Sequence, residues 1–184
     1  MNNRIIVISG PSGSGKGTIA SAIIKHFSPE FAWSKTATTR PRRQDDLDLS
    51  RRIFLTEDEF KQAIDSGDII EWIEYNGHHY GTLKSELDKI LADTNALLEI
   101  DIEGALKIKE IFGKTAQLIF IKVPIDQLRR RLEERGMSET DITARLDIAR
   151  IELTKIGGCD LIIDNNDNQL EDAIDKVIKF IKSL

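Results

Sequence analysis

Short apolar runs alternate along the chain with segments whose apolar residues recur at helical spacing. Residues 5–8 form a β-branched run that ends at a glycine-rich turn, and the apolar positions that follow it have the period of a helix. The same pattern predicts core strands at residues 4–9, 31–36, 96–100, 117–123 and 161–163. It predicts helices up to about residue 26 and at about residues 83–92, 105–112, 126–135, 140–156 and 170–184. Because strands and helices alternate, the predicted fold class is α/β, with a parallel sheet flanked by helices.

The middle of the chain departs from this alternation. Short strands are predicted at residues 53–55, 69–75 and 78–81, and Asn76-Gly77 predicts a tight hairpin turn between the last two. Thr56, followed by three acidic residues, predicts the start of one short helix. We therefore expect a small mixed sheet inserted into the α/β core. The predicted boundaries are a core of residues 1–35, 84–132 and 146–184, an insertion of residues 36–83 and a helical segment at about residues 133–145.

The turn between the first strand and the first helix matches the pattern G-x-x-x-x-G-K. Its glycines leave backbone N–H groups able to surround a phosphate, the helix start adds partial positive charge, and Lys16 reaches the β and γ oxygens. The sequence therefore predicts an ATP site. The expected ATP-binding residues of this turn are Gly10, Pro11, Ser12, Gly13, Ser14, Gly15, Lys16, Gly17 and Thr18.

Gly17 breaks the usual form of this motif. A serine or threonine normally follows the lysine and supplies a hydroxyl ligand to Mg²⁺, whereas here the hydroxyl comes one place later, on Thr18. We therefore expect Mg²⁺ to be held mainly by ATP oxygens and water. Glu99 and Asp101, at the end of a predicted core strand, are the expected carboxylates that contact the metal through water.

Charge and cysteine content exclude several classes of protein. Twenty-six basic and 31 acidic residues give a net charge of −5, which argues against a general nucleic-acid or membrane-surface binder. The single cysteine excludes an internal disulfide and a cysteine metal site. The chain also has no apolar run long enough for a membrane span and no signal peptide, so the expected location is the cytoplasm.

Six stretches together resemble the guanylate kinase family, nearly end to end. They are residues 8–16, Thr38-Thr39-Arg40 with a following Pro-Arg, Ile70-Glu71-Trp72, Tyr80-Gly81-Thr82, residues 99–104 and residues 131–136. The resemblance implies a P-loop NTPase-type core, an inserted acceptor-binding domain and a lid. It also implies transfer of the γ-phosphoryl group of MgATP to GMP or dGMP. We expect a monomer or homodimer with no nucleic-acid or membrane partner.

Recognition of the acceptor base is expected from a carboxylate. Guanine presents two adjacent donors, N1–H and N2–H₂, which fit the two oxygens of Glu71, and the Thr82 hydroxyl can donate to O6. The resemblance implies the same two roles and adds Tyr80 and Asp101 to the acceptor site. The alternative is structural: Glu71 would be a solvated strand residue and Thr82 a helix N-cap.

The acceptor phosphate is expected to bind arginine, whose planar guanidinium contacts phosphate through two bonds. Five arginines crowd residues 40–52: Arg40, Arg42, Arg43, Arg51 and Arg52. The resemblance assigns the phosphate to Arg40 and Arg43. If the Pro-Arg pair keeps its register, Arg42 takes the place of Arg43. Arg52 stands where the family has a phosphate-binding tyrosine, and Thr36 where it has a serine. The alternative is that these arginines only solubilise a loop.

A second arginine cluster lies at a predicted break between two helices. Arg129 can pair with Glu133, and Arg130 with Glu134, one helical turn away. Arg131 and Arg135 instead stack as like charges, an arrangement that favours a nearby anion.

With Arg145, these two arginines resemble the lid arginines that close over ATP phosphates. Lys16, Arg40, Arg43, Arg135 and Arg145 are therefore the expected catalytic residues, with Arg131 binding ATP. Asn165 or Asn166, after the last strand, is the expected adenine contact.

Two alternative functions remain open from the sequence. The first alternative is a kinase of another nucleoside monophosphate or phosphorylated acceptor. It is suggested by three departures from the family pattern, at Gly17, Arg52 and the shifted Pro41. A non-catalytic guanylate kinase-like domain that binds phosphopeptides is the second alternative. The retained glycine loop with Lys16 and the lid arginines speak against that second alternative.

Overall fold

The computed structural model describes residues 3–42, 51–75 and 77–184. In chain order its strands are β1 (Ile5–Ser9), β2 (Phe31–Trp33), β3 (Thr36–Thr38), β4 (Arg52–Phe54), β5 (Ile69–Tyr75), β6 (His78–Leu83), β7 (Asn95–Glu99), β8 (Ala116–Lys122) and β9 (Leu161–Asp164). Its helices are α1 (Lys16–His26), α2 (Glu57–Asp65), α3 (Lys84–Asp93), α4 (Ile102–Phe112), α5 (Ile125–Glu134), α6 (Glu139–Thr154) and α7 (Leu170–Ser183). None of the described helices is both long enough and apolar enough to cross a membrane.

The core is a five-stranded sheet in the order β2-β7-β1-β8-β9, and all its strand pairs are parallel. Every residue of β1 is buried, as expected where helices cover both faces of a parallel sheet. Alternate residues face opposite sides. Ile6 and Ile8 pack with α1 and α7, whereas Ile5 and Val7 pack with α3 and α4. The predicted parallel sheet flanked by helices is confirmed.

A second, mixed sheet has the order β4-β3-β6-β5. β3 pairs with β4 in parallel and with β6 antiparallel, and β5 pairs antiparallel with β6. Phe60 of α2 is buried against one face together with Ala37 and Leu83. On β5, Glu71, Ile73 and Tyr75 alternate along the strand and line a cavity next to the core sheet. The predicted mixed sheet is confirmed, and all of its strands fall within residues 36–83.

The strand predicted at residues 31–36 is wrong as a single element. β2 ends at Trp33 in the core sheet, and β3 begins at Thr36 in the second sheet. The Ser34 N–H still donates to the Leu97 carbonyl, so the chain leaves the core sheet only after that residue. The predicted hairpin turn includes Asn76, which lies outside the described residues, but its strands pair as far as Tyr75 and His78.

The helices α5 and α6 form a packed pair beside the phosphate loop. Leu128 and Leu132 of α5 pack against Ile142 and Leu146 of α6. The chain turns between them at Gly136, which has a φ of 72°. This turn falls inside the segment predicted to be a lid.

Candidate active site

The loop of residues 10–15 joins the end of β1 to the start of α1. At Gly10 φ is 146°, and a Cβ atom there would lie 2.5 Å from the Ile121 carbonyl oxygen, so glycine is required. Gly15 precedes the helix without a side chain to cap it, and the first turn of α1 holds no acidic residue. The positive end of the α1 dipole is therefore left for an anion from outside the chain.

Lys16 lies at the first position of α1 and extends back along the loop. Its Nζ donates to the Pro11 carbonyl oxygen at 3.3 Å. The side chain lines a large cavity on the side of the second sheet and a smaller one along the loop. Lys16 can thus contact phosphate groups that approach from either side.

The large cavity, of about 580 Å³, lies between the phosphate loop and the second sheet. Its wall brings together residues that are far apart in the sequence. The predicted site residues in its lining are Gly10, Ser12, Lys16, Gly17, Thr36, Arg52, Glu71, Tyr80, Glu99, Asp101 and Arg145.

Two further cavities border the loop next to Thr18 and Arg135. One of about 510 Å³ is lined by the predicted residues Gly13, Gly15, Thr18, Arg131, Arg135 and Asn165. The other, of about 500 Å³, follows the loop itself and is lined by Ser12, Gly13, Gly15, Lys16, Gly17, Thr18, Glu99 and Arg135. The predicted donor-side residues are therefore largely grouped around these two cavities.

Of the predicted residues that the structure describes, Pro11, Ser14, Arg40 and Thr82 do not line these cavities. Pro11 and Ser14 belong to the phosphate loop and are buried. Arg40 is only 6% exposed, donates from Nη1 to the Pro41 carbonyl at 2.9 Å, and places its guanidinium 5.6 Å from the Phe54 ring centre. Arg43 lies outside the described residues, so its predicted role stays a prediction.

The carboxylate of Glu71 is buried at the inner end of the large cavity. Glu71 and Thr82 lie opposite each other on β5 and β6, and the Thr82 hydroxyl donates to Glu71 Oε1 at 2.5 Å. Burial, aided by the charge of Asp101, raises the pKa of Glu71 to about 7, although the Thr82 bond opposes the shift. Glu71 is 2% exposed and α3 has Leu83 as its N-cap, so the alternative structural interpretation of Glu71 and Thr82 is wrong.

The start of α4 forms the floor beneath Glu71. A Cβ atom at Gly104 would overlap the Glu71 carboxylate, so the glycine allows this close approach. Asp101 is the N-cap of α4, and its Oδ1 accepts from the N–H groups of Glu103 at 2.8 Å and Gly104 at 3.0 Å. Asp101 therefore holds the helix start that supports the Glu71 carboxylate, and it also lines the cavity.

Arg145 connects α6 to the phosphate loop. Its Nη1 donates to the Ser12 hydroxyl at 2.7 Å, and its guanidinium lies 5.8 Å from the Tyr75 ring centre. The predicted lid arginine is thus positioned at the loop, where it also faces the large cavity. An anion bound at the loop would be within the reach of this side chain.

Asp167, in the loop after β9, is a partner that the sequence did not reveal. Its carboxylate accepts from Arg130 Nη2 at 2.7 Å and from Arg131 Nη2 at 3.0 Å. The expected pair between Arg130 and Glu134 is therefore wrong, because Arg130 reaches across to this loop instead. The expected pair between Arg129 and Glu133 is confirmed at 3.5 Å.

Asn165 supports the phosphate loop from below. Its Nδ2 donates to the Ser14 carbonyl at 2.7 Å, and the residue is buried. The Asn165 carbonyl accepts from Arg131 Nη2 at 2.8 Å, which ties α5 to the same point. Asn165 and Asn166 both line the donor-side cavity, so adenine contact stays a prediction for either.

Glu152 of α6 is a cavity residue that sequence reasoning missed. Burial raises its pKa to about 7, although the nearby charge of Lys16 opposes the shift. Among the described residues, Glu152 Oε2 has no hydrogen-bond partner. The residue lies within an ordinary helical pattern and belongs to none of the motifs above, so only the packing of α6 over Lys16 reveals it.

A cavity that joins a phosphate-binding loop to three arginines and a buried carboxylate is typical of a P-loop phosphotransferase. The family model for guanylate kinase matches residues 2–184 of the chain. A guanylate kinase from Salinibacter ruber is 37% identical over 99% of both chains, and one from Mycoplasma genitalium is 38% identical over 98% of this chain and 74% of the relative. The crystal structure of guanylate kinase from Anaplasma phagocytophilum superposes with a TM-score of 0.77 at 27% identity, covering 98% of this chain and 85% of that one. The chain belongs to the guanylate kinase family, which confirms the predicted resemblance, fold class and enzyme class.

Proposed function

We propose that this protein transfers the γ-phosphoryl group of ATP to GMP or dGMP and releases ADP and GDP or dGDP. The observation that carries the proposal is that one cavity contains both the buried Glu71 carboxylate and Lys16 of the phosphate loop. In this proposal Glu71 binds the acceptor base and Lys16 binds the donor phosphates. Family relatives matched over nearly the whole chain support the same activity.

The acceptor nucleotide lies with its base at the inner end of the large cavity. Glu71 accepts from N1–H and N2–H₂ of guanine, and Asp101 borders the same position. Thr82 can donate to O6 only by giving up its bond to Glu71. Adenine would present its unprotonated N1 to Glu71, so the buried carboxylate disfavours it.

The acceptor phosphate is proposed to contact Thr36, Arg52 and Tyr80. These residues line the large cavity and supply a hydroxyl, a guanidinium and a phenol. Arg40 is proposed to add a second cation after its guanidinium turns from the Pro41 carbonyl. Arg42 or Arg43 completes the set.

Transfer needs no covalent intermediate with the protein. The acceptor phosphate oxygen is the nucleophile, and the chain positions it and neutralises charge on the group that moves. Lys16 and the start of α1 stabilise the donor phosphates. Arg131 acts from α5, Arg135 from the C-cap of α5, and Arg145 from α6. Exclusion of water by these helices keeps the phosphoryl group from hydrolysis.

Glu99 fits the role of the carboxylate that orients Mg²⁺. A Cβ atom at Gly17 would lie 3.4 Å from both Glu99 carboxylate oxygens, so Glu99 extends to the place where a side chain at position 17 would begin. Asp101 fits less well because one of its oxygens already caps α4. When bound with ATP, Mg²⁺ supplies positive charge to the β and γ oxygens, and Mg²⁺ accepts such oxygen ligands readily.

Gly17→Ser will weaken metal binding because its Cβ would already be in contact with both Glu99 carboxylate oxygens, and its hydroxyl would need further space beside them. The Kd of Mn²⁺ for the complex with a non-hydrolysable ATP analogue should rise about tenfold, and Glu99→Asp added to Gly17→Ser should return it to within about threefold of the original value. Electron paramagnetic resonance of free Mn²⁺ measures both constants. Tighter Mn²⁺ binding in Gly17→Ser alone would show that the two side chains do not compete for space.

The remaining assignments follow from the same proposal. ATP and GMP are the proposed partners, and the protein is proposed to act in the cytoplasm as a monomer or homodimer. Burial raises the pKa of the Cys159 thiol to about 11, so this cysteine is unreactive and suits a reducing compartment.

An acceptor panel tests the function directly. Coupled measurement of ADP release with GMP, dGMP, AMP, CMP and UMP should give a kcat/KM for GMP at least about 10²-fold above that for AMP, since the buried carboxylate matches only guanine. Turnover with AMP but not GMP would overturn the guanine assignment. Tight ATP binding without transfer to any nucleotide would favour the phosphopeptide-binding alternative.

A further inference from the structure

Arg51 lies where the acceptor cavity meets the phosphate loop. It lines both the large cavity and the cavity that follows the loop. The residues common to the two linings are Ser12, Lys16, Gly17, Arg51 and Glu99. Arg52, the next residue, lines only the large cavity. Adjacent arginines therefore occupy different places: Arg52 on the acceptor side and Arg51 at the junction.

Among the residues that the structure describes, Trp33 and Ser21 contact the Arg51 guanidinium. It lies over the ring of Trp33 at 3.9 Å from the ring centre, a distance at which stacking and cation–π attraction act together. Its Nη2 donates to the Ser21 hydroxyl at 3.0 Å, and that hydroxyl donates in turn to the Gly17 carbonyl at 2.7 Å. Arg51 is thus tied through Ser21 to the first turn of α1, directly behind Lys16.

Two cationic side chains border the junction. Lys16 and Arg51 are the cations common to the two cavities, and Glu99 is the carboxylate. In any transfer between the two cavities, the moving phosphoryl group must cross this junction. A planar guanidinium stacked on an aromatic ring presents its N–H groups at its edge, the geometry that phosphate oxygens accept.

We propose that Arg51 is a catalytic residue that contacts the phosphoryl group as it passes from ATP to the acceptor, and that Trp33 and Ser21 position it. This inference rests on the proposed transfer from ATP to GMP. In that step the acceptor phosphate oxygen bonds to the γ-phosphorus while the bond from that phosphorus to the ADP oxygen breaks, and ADP leaves with the electron pair. Arg51 stays protonated throughout and stabilises charge on the moving oxygens.

The test is steady-state kinetics of Arg51→Gln with GMP and ATP. We expect kcat to fall about 30-fold and both KM values to change by less than about threefold, because the contact strengthens in the transition state. Arg150→Gln is the matched control, since Arg150 is an exposed residue of α6 that pairs with Asp147. This control should keep its kcat within about twofold.

A second pair of variants tests how Arg51 is held. Trp33→Leu removes the aromatic face and should lower kcat about tenfold, whereas Trp33→Phe keeps a face and should stay within about threefold of the original kcat. The difference in kcat between Trp33→Leu and Trp33→Phe also tests the proposal if Arg51→Gln fails to fold. A purely structural role of Trp33 would instead lower the melting temperature and leave kcat per folded molecule unchanged in both variants.

Two results would overturn the proposal. A kcat within about threefold of the unmodified protein would show that Arg51 does not contact the moving group. A rise in the GMP KM with kcat unchanged would show that Arg51 only anchors the acceptor phosphate in the ground state. Failure of the unmodified protein to phosphorylate GMP would instead overturn the proposed function, and Arg51→Gln would then be measured with the acceptor that the panel identifies.

Discussion

Lys16→Ala will lower kcat by about 10²- to 10³-fold, the loss expected when one preorganised charge donor is removed from a phosphoryl-transfer site. The side chain starts at the first position of α1 and extends along the loop to the Pro11 carbonyl. It lines both the acceptor cavity and the loop cavity, so it can follow charge on the donor phosphates as the bond to ADP breaks. Steady-state rates at saturating ATP and GMP measure the effect.

Lys25→Ala is the control for this substitution. Lys25 lies in the last turn of the same helix and is exposed. Its substitution removes the same charge at a position away from the loop. Its kcat should stay within about twofold of the unmodified protein. A Lys16→Ala variant with near-normal kcat and an unchanged melting temperature would contradict the role given to Lys16.

The core sheet could be predicted from the sequence because its strands are buried on both faces. Residues of β1 and β8 then form continuous apolar runs, which need no knowledge of partners. The split between β2 and β3 could not be predicted in this way. Ser34 and Lys35 carry no turn signal, and the polar strand β3 exists because β4 and β6 pair with it on either side.

Some residues of the candidate site could be predicted from the sequence, and others could not. Glu71, Thr82 and Lys16 belong to short motifs, so their roles could be predicted before their positions were known. Glu152 and Asp167 carry no motif, and their importance depends on α6 packing over Lys16 and on a loop reaching Arg131. Local sequence indicates which residues suit a chemistry, whereas tertiary packing decides which ionisable groups share a cavity.

Two departures from the family pattern, at Gly17 and at Arg52, can each be understood together with a neighbouring residue. Gly17 lacks a side chain where Glu99 places its carboxylate. Arg52 replaces a tyrosine at the acceptor side, beside Arg51 at the junction. The guanidinium of Arg52 can bind phosphate in place of the phenol, and this exchange is one reason why the sequence alone left the acceptor open.

Glu71→Gln will reduce kcat/KM for GMP about 10²-fold at pH 8 and change the KM for ATP by less than about threefold, because one charged hydrogen-bond acceptor is lost on the acceptor side only. The effect will depend on pH. Burial raises the pKa of Glu71 to about 7, and guanine binds the ionised form. The GMP affinity of the unmodified protein should therefore fall about tenfold per unit as pH decreases below about 7 and level off above it.

Calorimetric titration with GMP from pH 5.5 to 8.5 separates this effect from ionisation of GMP itself. The GMP phosphate loses its second proton near pH 6, but that change is common to both proteins. The ratio of their affinities therefore reports Glu71 alone and should shrink toward acid pH. An equal loss of ATP and GMP affinity, or a ratio independent of pH, would show that Glu71 is not the base reader.

As pH rises, the free energy of unfolding should change in the direction opposite to the affinity for GMP. A carboxyl whose pKa is higher in the folded than in the unfolded protein stabilises the fold at low pH, and this contribution is lost as pH rises from about 4.5 to about 7. The ionised Glu71 then costs up to about 3 kcal/mol in the ligand-free protein at pH 8. Glu71→Gln removes that charge, so its free energy of unfolding at pH 8 should exceed that of the unmodified protein. A variant that is more stable yet binds GMP weakly would show that the buried carboxylate is retained for recognition of the acceptor base, at the expense of the fold.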